Sequence, residues 1–260
     1  MKGWENNMKL QTWASVHAIV LAVTALLFLP LQAQAERDWE FSVGAFGGKA
    51  FHSNEEIKFN AGAGTGFGAV TAHGVNLNDS LTFGAKITAW HLPRQYKWQP
   101  QIGLELDYTN FTADLDPQIT GATGTSFTPG FEAGSVIFTR HQDFGVNIVA
   151  ANLLFRYPIW ATPEMPQGRW YPYLGAGIGV QRTHLSDSTF SHQETSYSPA
   201  IQGLAGVKFF IFRNFAFFGE WKRTTGWGTF TYDGVGFAPG FSEKVTIASN
   251  LVVGGIPFHF

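Results

Sequence analysis

No cysteine occurs in the 260 residues, which excludes a disulfide framework, a thiolate metal centre and a cysteine nucleophile, and suits an oxidising compartment. Charge is scarce as well. Only 14% of residues are Asp, Glu, Lys or Arg, against about a quarter in a soluble domain, so a hydrated surface does not cover the whole chain. The formal charge of −2 leaves no basic face with which to displace phosphate counterions, and nucleic acid is excluded as a partner. Beyond residue 35 the sequence has no apolar run long enough for a membrane-crossing helix and no useful stripe of helical period. What it has instead is glycine and aromatic rings: 30 Gly, 25 Phe and 9 Trp. A chain of this makeup faces something other than water over part of its surface.

Residues 1–35 read as a cleaved signal peptide. Lys2 and Lys9 give a positive start, Ala18 to Leu29 form an uncharged apolar stretch, Pro30 breaks it, and Ala33-Gln34-Ala35 is a small-x-small cleavage site. The apolar stretch is shorter than the ~20 residues a spanning helix needs. A complete signal pattern also starts at Met8. The domain left after cleavage runs from Glu36 to Phe260, is exported, and is mildly acidic once Lys2, Glu5 and Lys9 are gone.

In that domain the dominant period is two. Over 97–110, Gln99, Gln101, Gly103, Glu105 and Asp107 share one face, and Trp98, Ile102, Leu104, Leu106 and Tyr108 share the other. Similar segments recur at about 39–51, 80–91, 143–157, 170–184, 199–212, 214–230 and 245–260. Eight strands is an even number, as a closed antiparallel up-and-down transmembrane barrel requires. An extra hairpin over Thr65 to Val75 would make ten. The connectors alternate in length, with long ones at 52–79, 112–142, 185–198 and 231–244 and shorter ones at 92–96, 158–169 and 213. Short turns face the periplasm and long loops the outside in such barrels, so both ends of the domain are expected in the periplasm. Gly121 to Gly130 reads as a loop.

Composition assigns the two faces. Glu40, Lys86, Glu105, Asp107, Arg156, Lys208, Glu220 and Lys222 fall on the polar face, interleaved with Gly44, Gly84, Gly103, Gly175, Gly177, Gly179 and Gly206. An eight-stranded barrel is filled by side chains, so these ions are expected to pair as a plug, because a buried ion without a partner costs several kcal/mol. Phe41, Val43, Ile87, Leu104, Leu106, Leu174, Ile178, Val180, Val207, Phe209, Phe217 and Val252 fall on the opposite, ion-free face, which suits lipid. Trp39, Trp98, Trp160, Trp170, Tyr171 and Trp221 lie near strand ends and are expected at the membrane interface.

The stretches QIGLELDYTNF, NLLFRYP, GRWYPYLGAGIGV, GVKFFIFRNFAFFGEWKRT and the terminal GGIPFHF resemble, in this order, the outer-membrane β-barrel domain family of OmpA/OmpX type. The resemblance implies an eight-stranded outer-membrane barrel with a plugged interior, set among outer-membrane lipid and lipopolysaccharide. It also implies that Ile256, Phe258 and Phe260 in the last strand form the signal read by the barrel-assembly machinery. The sequence stops at Phe260, without the peptidoglycan-binding domain that follows the barrel in OmpA.

The expected role is structural or surface-interacting and non-enzymatic, with no cofactor and with a loop ligand that the letters do not specify. A narrow channel or small-solute transporter is the alternative, in which the charged plug rearranges. A lipid A-modifying hydrolase is disfavoured. Lipid A deacylases carry a His-x-Ser-Asn motif in the penultimate strand, where His activates Ser, whereas Gly219-Glu220-Trp221-Lys222-Arg223-Thr224-Thr225 holds neither residue. His52-Ser53-Asn54 has the letters without the spacing. His141, His184 and His192 lack metal-ligand spacing, and Gly62-x-Gly64-x-Gly66 lacks the helix that a nucleotide loop needs.

Overall fold

The computed structural model describes Asp38–Phe260, apart from residues 53–54, 61–66, 95, 97, 127–132, 139–140, 163–164, 166, 188–191 and 232–241. The signal-peptide reading and the glycine pattern at 62–66 therefore lie outside the described residues.

Among the described residues twelve strands follow one another: β1 (Trp39–His52), β2 (Glu55–Asn60), β3 (Phe67–Val75), β4 (Ser80–His91), β5 (Gln101–Thr112), β6 (Gln118–Ser126), β7 (Ala133–Phe138), β8 (Gln142–Arg156), β9 (Trp170–Asp187), β10 (His192–Phe210), β11 (Ala216–Thr231) and β12 (Ser242–His259). Eight of them pair in the order β1-β4-β5-β8-β9-β10-β11-β12, and β12 returns to β1 through antiparallel partners from Ser42↔His259 to His52↔Ser249. The sheet is a closed antiparallel barrel of eight strands. Closure leaves no unpaired edge in that ring, which solves the backbone hydrogen-bond problem wherever water is absent.

The remaining four strands correct the expectation that 52–79 and 112–142 are loops. Their order, β12-β2-β3-β6-β7, repeats the order β12-β1-β4-β5-β8 beneath them. Each upper pair also keeps the register of the pair below to within one residue. β2 thus continues β1, β3 leads into β4, β6 continues β5 and β7 leads into β8. The twelve strands are eight staves, four of them interrupted. The extra hairpin expected over Thr65 to Val75 is the β3 portion of one stave and adds nothing to the strand count, and the stretch from Gly121 to Ser126 belongs to β6 rather than to a loop.

The physical reason lies in the phase of the alternation. Ala50 and Ile57 both point inward although seven residues apart, because one extra residue enters the ladder between them. Gly74, at φ 69°, accompanies a second slip, between Glu55 and Ile57, in the β2–β3 pairing. Such bulges bend a strand and reset which residues face in.

The interruptions lie side by side and make a polar waist on the outer surface. Lys49 Nζ meets Asp79 at 3.0 Å, Asn78 Nδ2 donates to Asp116 at 2.8 Å, and the His141 ring touches Asp116 through Nδ1 at 2.8 Å and Asp143 through Nε2 at 2.7 Å. The backbones of Leu115 and Gln142 exchange hydrogen bonds beside this cluster.

Hydrogen bonding to Asp116 holds the His141 imidazole above its ordinary range, with Asp143 adding to it. Hydrogen bonds from Asn78 and His141 hold Asp116 below the ordinary carboxylate range, while burial raises neighbouring Asp114. A raised histidine contributes stability that is complete below about pH 6.5 and lost as pH rises through its folded value, whereas a lowered aspartate contributes stability above about pH 3.9 that is lost as pH falls through its own. Protection of the Leu115 and Gln142 amides, taken relative to intrinsic exchange, is therefore expected to be greatest between those limits and to fall a few-fold on either side. Exchange rates that follow only intrinsic base catalysis, with no added slope above neutrality, would show that the Asp116–His141–Asp143 cluster does not hold these backbones.

Candidate functional site

Inside the barrel the inward residues of successive strands converge. All eight ionisable residues assigned to the polar face are buried: Glu40, Lys86, Glu105, Asp107, Arg156, Lys208, Glu220 and Lys222. Seven of them sort into three groups up the interior, and Lys208 stands near the lowest, 5.6 Å from the Tyr171 ring. At the lower end Glu40 of β1 pairs with Arg156 of β8 and with His259 of β12, and Arg156 Nε donates to Gln101 Oε1 at 2.8 Å. The Arg156 guanidinium also lies 4.4 Å from the Trp90 ring and 4.5 Å from the Tyr171 ring.

One layer up, Lys86 of β4 donates to both Glu220 oxygens, at 2.7 and 3.0 Å, and reaches Glu105 at 3.5 Å. Glu105 also accepts from Thr88 at 3.0 Å and from Asn152 at 3.2 Å, and the Tyr173 hydroxyl donates to Glu220 at 2.8 Å. Higher still, Lys222 of β11 meets Asp107 at 2.6 Å and Thr109 at 3.2 Å. Glu220 stands 3.7 Å from Lys222, which joins the two upper groups into one network. Charge-assisted bonds of this kind satisfy ions that could not otherwise be taken from water.

Packing completes what the ions begin. Glycines on the inner face accept the large rings opposite. A Cβ on Gly103 would stand 2.6 Å from the Trp90 ring, and one on Gly206 would stand 2.6 Å from Tyr173. Above the ions the interior turns apolar, where Phe111, Phe144, Ile148, Leu185, Phe230 and Ile57 belong to one cluster. The sequence assigned only charges and glycines to the interior, and this apolar layer went unread. Its signal was present in the alternation of Phe111, Ala113 and Leu115 beyond Asp107.

The exterior decides what surrounds the barrel. Every residue assigned to the ion-free face points outward, from Phe41, Ile87, Leu104 and Leu106 to Leu174, Ile178, Phe209, Phe217 and Val252. The staves that carry them are charged within and apolar without, the reverse of a water-soluble barrel. The chain is a membrane-spanning β-barrel. Closed barrels with this outward band are the β-structures that cross membranes, and the polar waist marks the water side of the band.

The interfacial rings of the barrel need one correction. Trp39, Trp98, Trp160 and Trp221 are exposed, Trp98 at 72% and Trp160 at 71%, and Trp170 is half-buried. Tyr171 is fully buried. It follows Trp170 directly in β9, and neighbours in a strand face opposite ways, so both cannot meet lipid. Trp98 lies in the turn before β5, which begins at Gln101 rather than at 97. Ile256, Phe258 and Phe260 share the outer face, with Phe258 and Phe260 stacked at 6.3 Å and Phe260 at 6.2 Å from Phe41.

His259, between two of those residues, turns inward to Glu40. The sequence missed it, although its opposite parity to Phe258 and Phe260 already placed it inside. The other histidines with described side chains do not gather, and the side chain of His192 lies outside the described set. His52 is held by Ser249 at 2.8 Å and by the Thr112 carbonyl at 2.9 Å, with residues 53 and 54 outside the described set. His184 meets Thr195, and His141 belongs to the waist. Among the described residues no group of metal-ligating side chains is assembled.

No family model and no curated protein matches the chain. Among solved structures it is similar to the outer-membrane protein OprG from Pseudomonas aeruginosa, with 11% identity over 88% of this chain and 99% of that one and a TM-score of 0.47. It is also similar to Neisserial surface protein A, with 14% identity over 86% and 98% and a TM-score of 0.39. The outer-membrane protease OmpT from Escherichia coli gives 10% identity over 88% and 99% and a TM-score of 0.45. At these values the barrel's role is not read from its neighbours, and its fold rests on its own ladders.

Proposed function

We propose that this barrel is non-enzymatic, closed to solute flow, and serves as a rigid membrane base for the wall that rises above the waist, in a structural or surface-interaction role. The observation that carries the reading is the filled interior. The Lys86–Glu220 and Lys222–Asp107 pairs have side chains between 0% and 4% exposed, and they lie beneath a packed apolar layer. A solute path would have to part both. In planar bilayers the refolded protein is expected to give no steady conductance, and reproducible single-channel steps would refute closure.

Glu220 favours a second reading in one respect. It stands between Lys86 and Lys222, so an exchange of partners would loosen the plug and make a narrow, intermittent channel. Rare openings abolished by Lys222→Met would single out that reading.

Two partners fit the exterior. Lys58 and Lys244 are exposed and directly opposed across the β2–β12 pair, an arrangement of like charges that is unfavourable alone and suits the phosphates of lipopolysaccharide. Ile256, Phe258 and Phe260 form an apolar outer edge on the last strand, which suits recognition by the barrel-assembly machinery.

A further inference from the structure

The lowest interior layer holds more positive charge than its carboxylate answers. Arg156 and Lys208 both approach the ring of Tyr171, with the guanidinium carbon at 4.5 Å and the Lys208 ammonium at 5.6 Å from its centroid. Glu40 is the carboxylate of this layer, and it is taken up by Arg156 and His259. Glu105 and Glu220 belong to Lys86 in the layer above. Among the described residues Lys208 has no carboxylate within ion-pair distance, although it is buried.

Four buried polar atoms nearby also lack a hydrogen bond of good geometry among the described residues: Arg156 Nη1, Tyr171 Oη, Trp90 Nε1 and His259 Nε2. They belong to one continuous set of rings. Trp90 lies 5.9 Å from Tyr171, Phe210 lies 6.1 Å from Tyr171, and His259 lies 4.6 Å from Phe210.

Buried donors without acceptors are costly, and an unanswered buried cation is costlier. A single small anion relieves both. Guanidinium and ammonium groups together are the usual protein partners of oxyanions, the first through its planar fork and the second as a point charge. The site stands at the end of the barrel where Arg156 closes β8, Trp170 and Tyr171 open β9, and Phe210 closes β10, below the Lys86–Glu220 layer.

We propose that the periplasmic end of the barrel interior binds a small oxyanion, a phosphate or a carboxylate, between Arg156 and Lys208 over the Tyr171 ring. This goes beyond the structural role and does not depend on whether the barrel conducts. Bound there, the anion completes the lowest layer and stabilises the folded barrel by mass action.

The test uses the full refolded barrel in detergent micelles, with thermal unfolding followed in sodium phosphate, sodium acetate or sodium chloride at matched ionic strength. Phosphate is expected to raise the midpoint saturably, by about 3–6 °C at ten times its dissociation constant. Lys208→Met is expected to remove the rise and Lys208→Arg to keep it. An equal rise in acetate assigns the site to carboxylates, and a rise in phosphate alone assigns it to phosphate. An equal rise in chloride means screening only and overturns the proposal, as does a saturable rise that survives in Lys208→Met. Should Lys208→Met not refold, titration calorimetry of phosphate into the unmodified barrel decides, since the absence of saturable heat would overturn the site.

Discussion

Glu220→Ala is expected to destabilise the barrel by about 3–5 kcal/mol, toward the lower end of the range for breaking a buried ion pair. Glu220 accepts from Lys86 and from the Tyr173 hydroxyl, so its removal leaves a buried cation and a buried hydroxyl to find new acceptors. Two features limit the loss. Lys86 retains Glu105 at 3.5 Å, and Lys222 retains Asp107 at 2.6 Å. Urea unfolding of the refolded protein measures the effect. A loss of only about 0–1 kcal/mol, the size found for solvent-exposed pairs, would show that water reaches the network and would remove the main support for a closed interior. Glu220→Gln keeps an acceptor for Tyr173 while removing the charge, and its loss should fall between that of the alanine variant and none.

The second large effect is expected at Trp90, a fully buried ring that lies beneath the Arg156 guanidinium and against Gly103. Trp90→Ala should cost about 3–5 kcal/mol through the lost contacts and the cavity left behind. Gly103→Val alone should cost about 1–3 kcal/mol by overpacking, since its side chain would enter the ring. The two changes act on one volume with opposite sign. The double variant is therefore expected to be more stable than the sum of the single losses implies, by a coupling of about 0.5–3 kcal/mol. Strict additivity in denaturant unfolding would show that Gly103 and Trp90 do not share that space.

The lower barrel was legible because its strands obey one rule without interruption. Glu105 and Asp107 beside Leu104 and Leu106, or Glu220 and Lys222 beside Phe217 and Trp221, declare both faces within a few letters. The same rule would have placed Tyr171 and His259 inside, had parity been given priority over the preference of rings for the interface. The upper wall was illegible for a different reason. In β2, β3 and β6 the alternation restarts out of phase after each interruption, and sequences such as Gly-Ala-Thr-Gly-Thr carry small residues whose strand conformation comes from neighbouring ladders more than from local preference. The pairing of the ions was partly beyond sequence. Charge balance implied that four bases would meet four acids, but whether Lys86 meets Glu220 or Glu105, and whether Lys208 meets any acid, depends on stagger around the ring.

The shared register above and below the waist has a consequence for how such a wall changes in length. Each upper ladder inherits its alignment from the one below, so residues gained in one arm must be matched in the arm beside it, or the inner and outer surfaces exchange places. Paired gains leave everything beneath the waist untouched. Height outside the bilayer is thereby uncoupled from the span within it, and the same membrane-fitted base can carry a taller or shorter crown without a new fit to lipid.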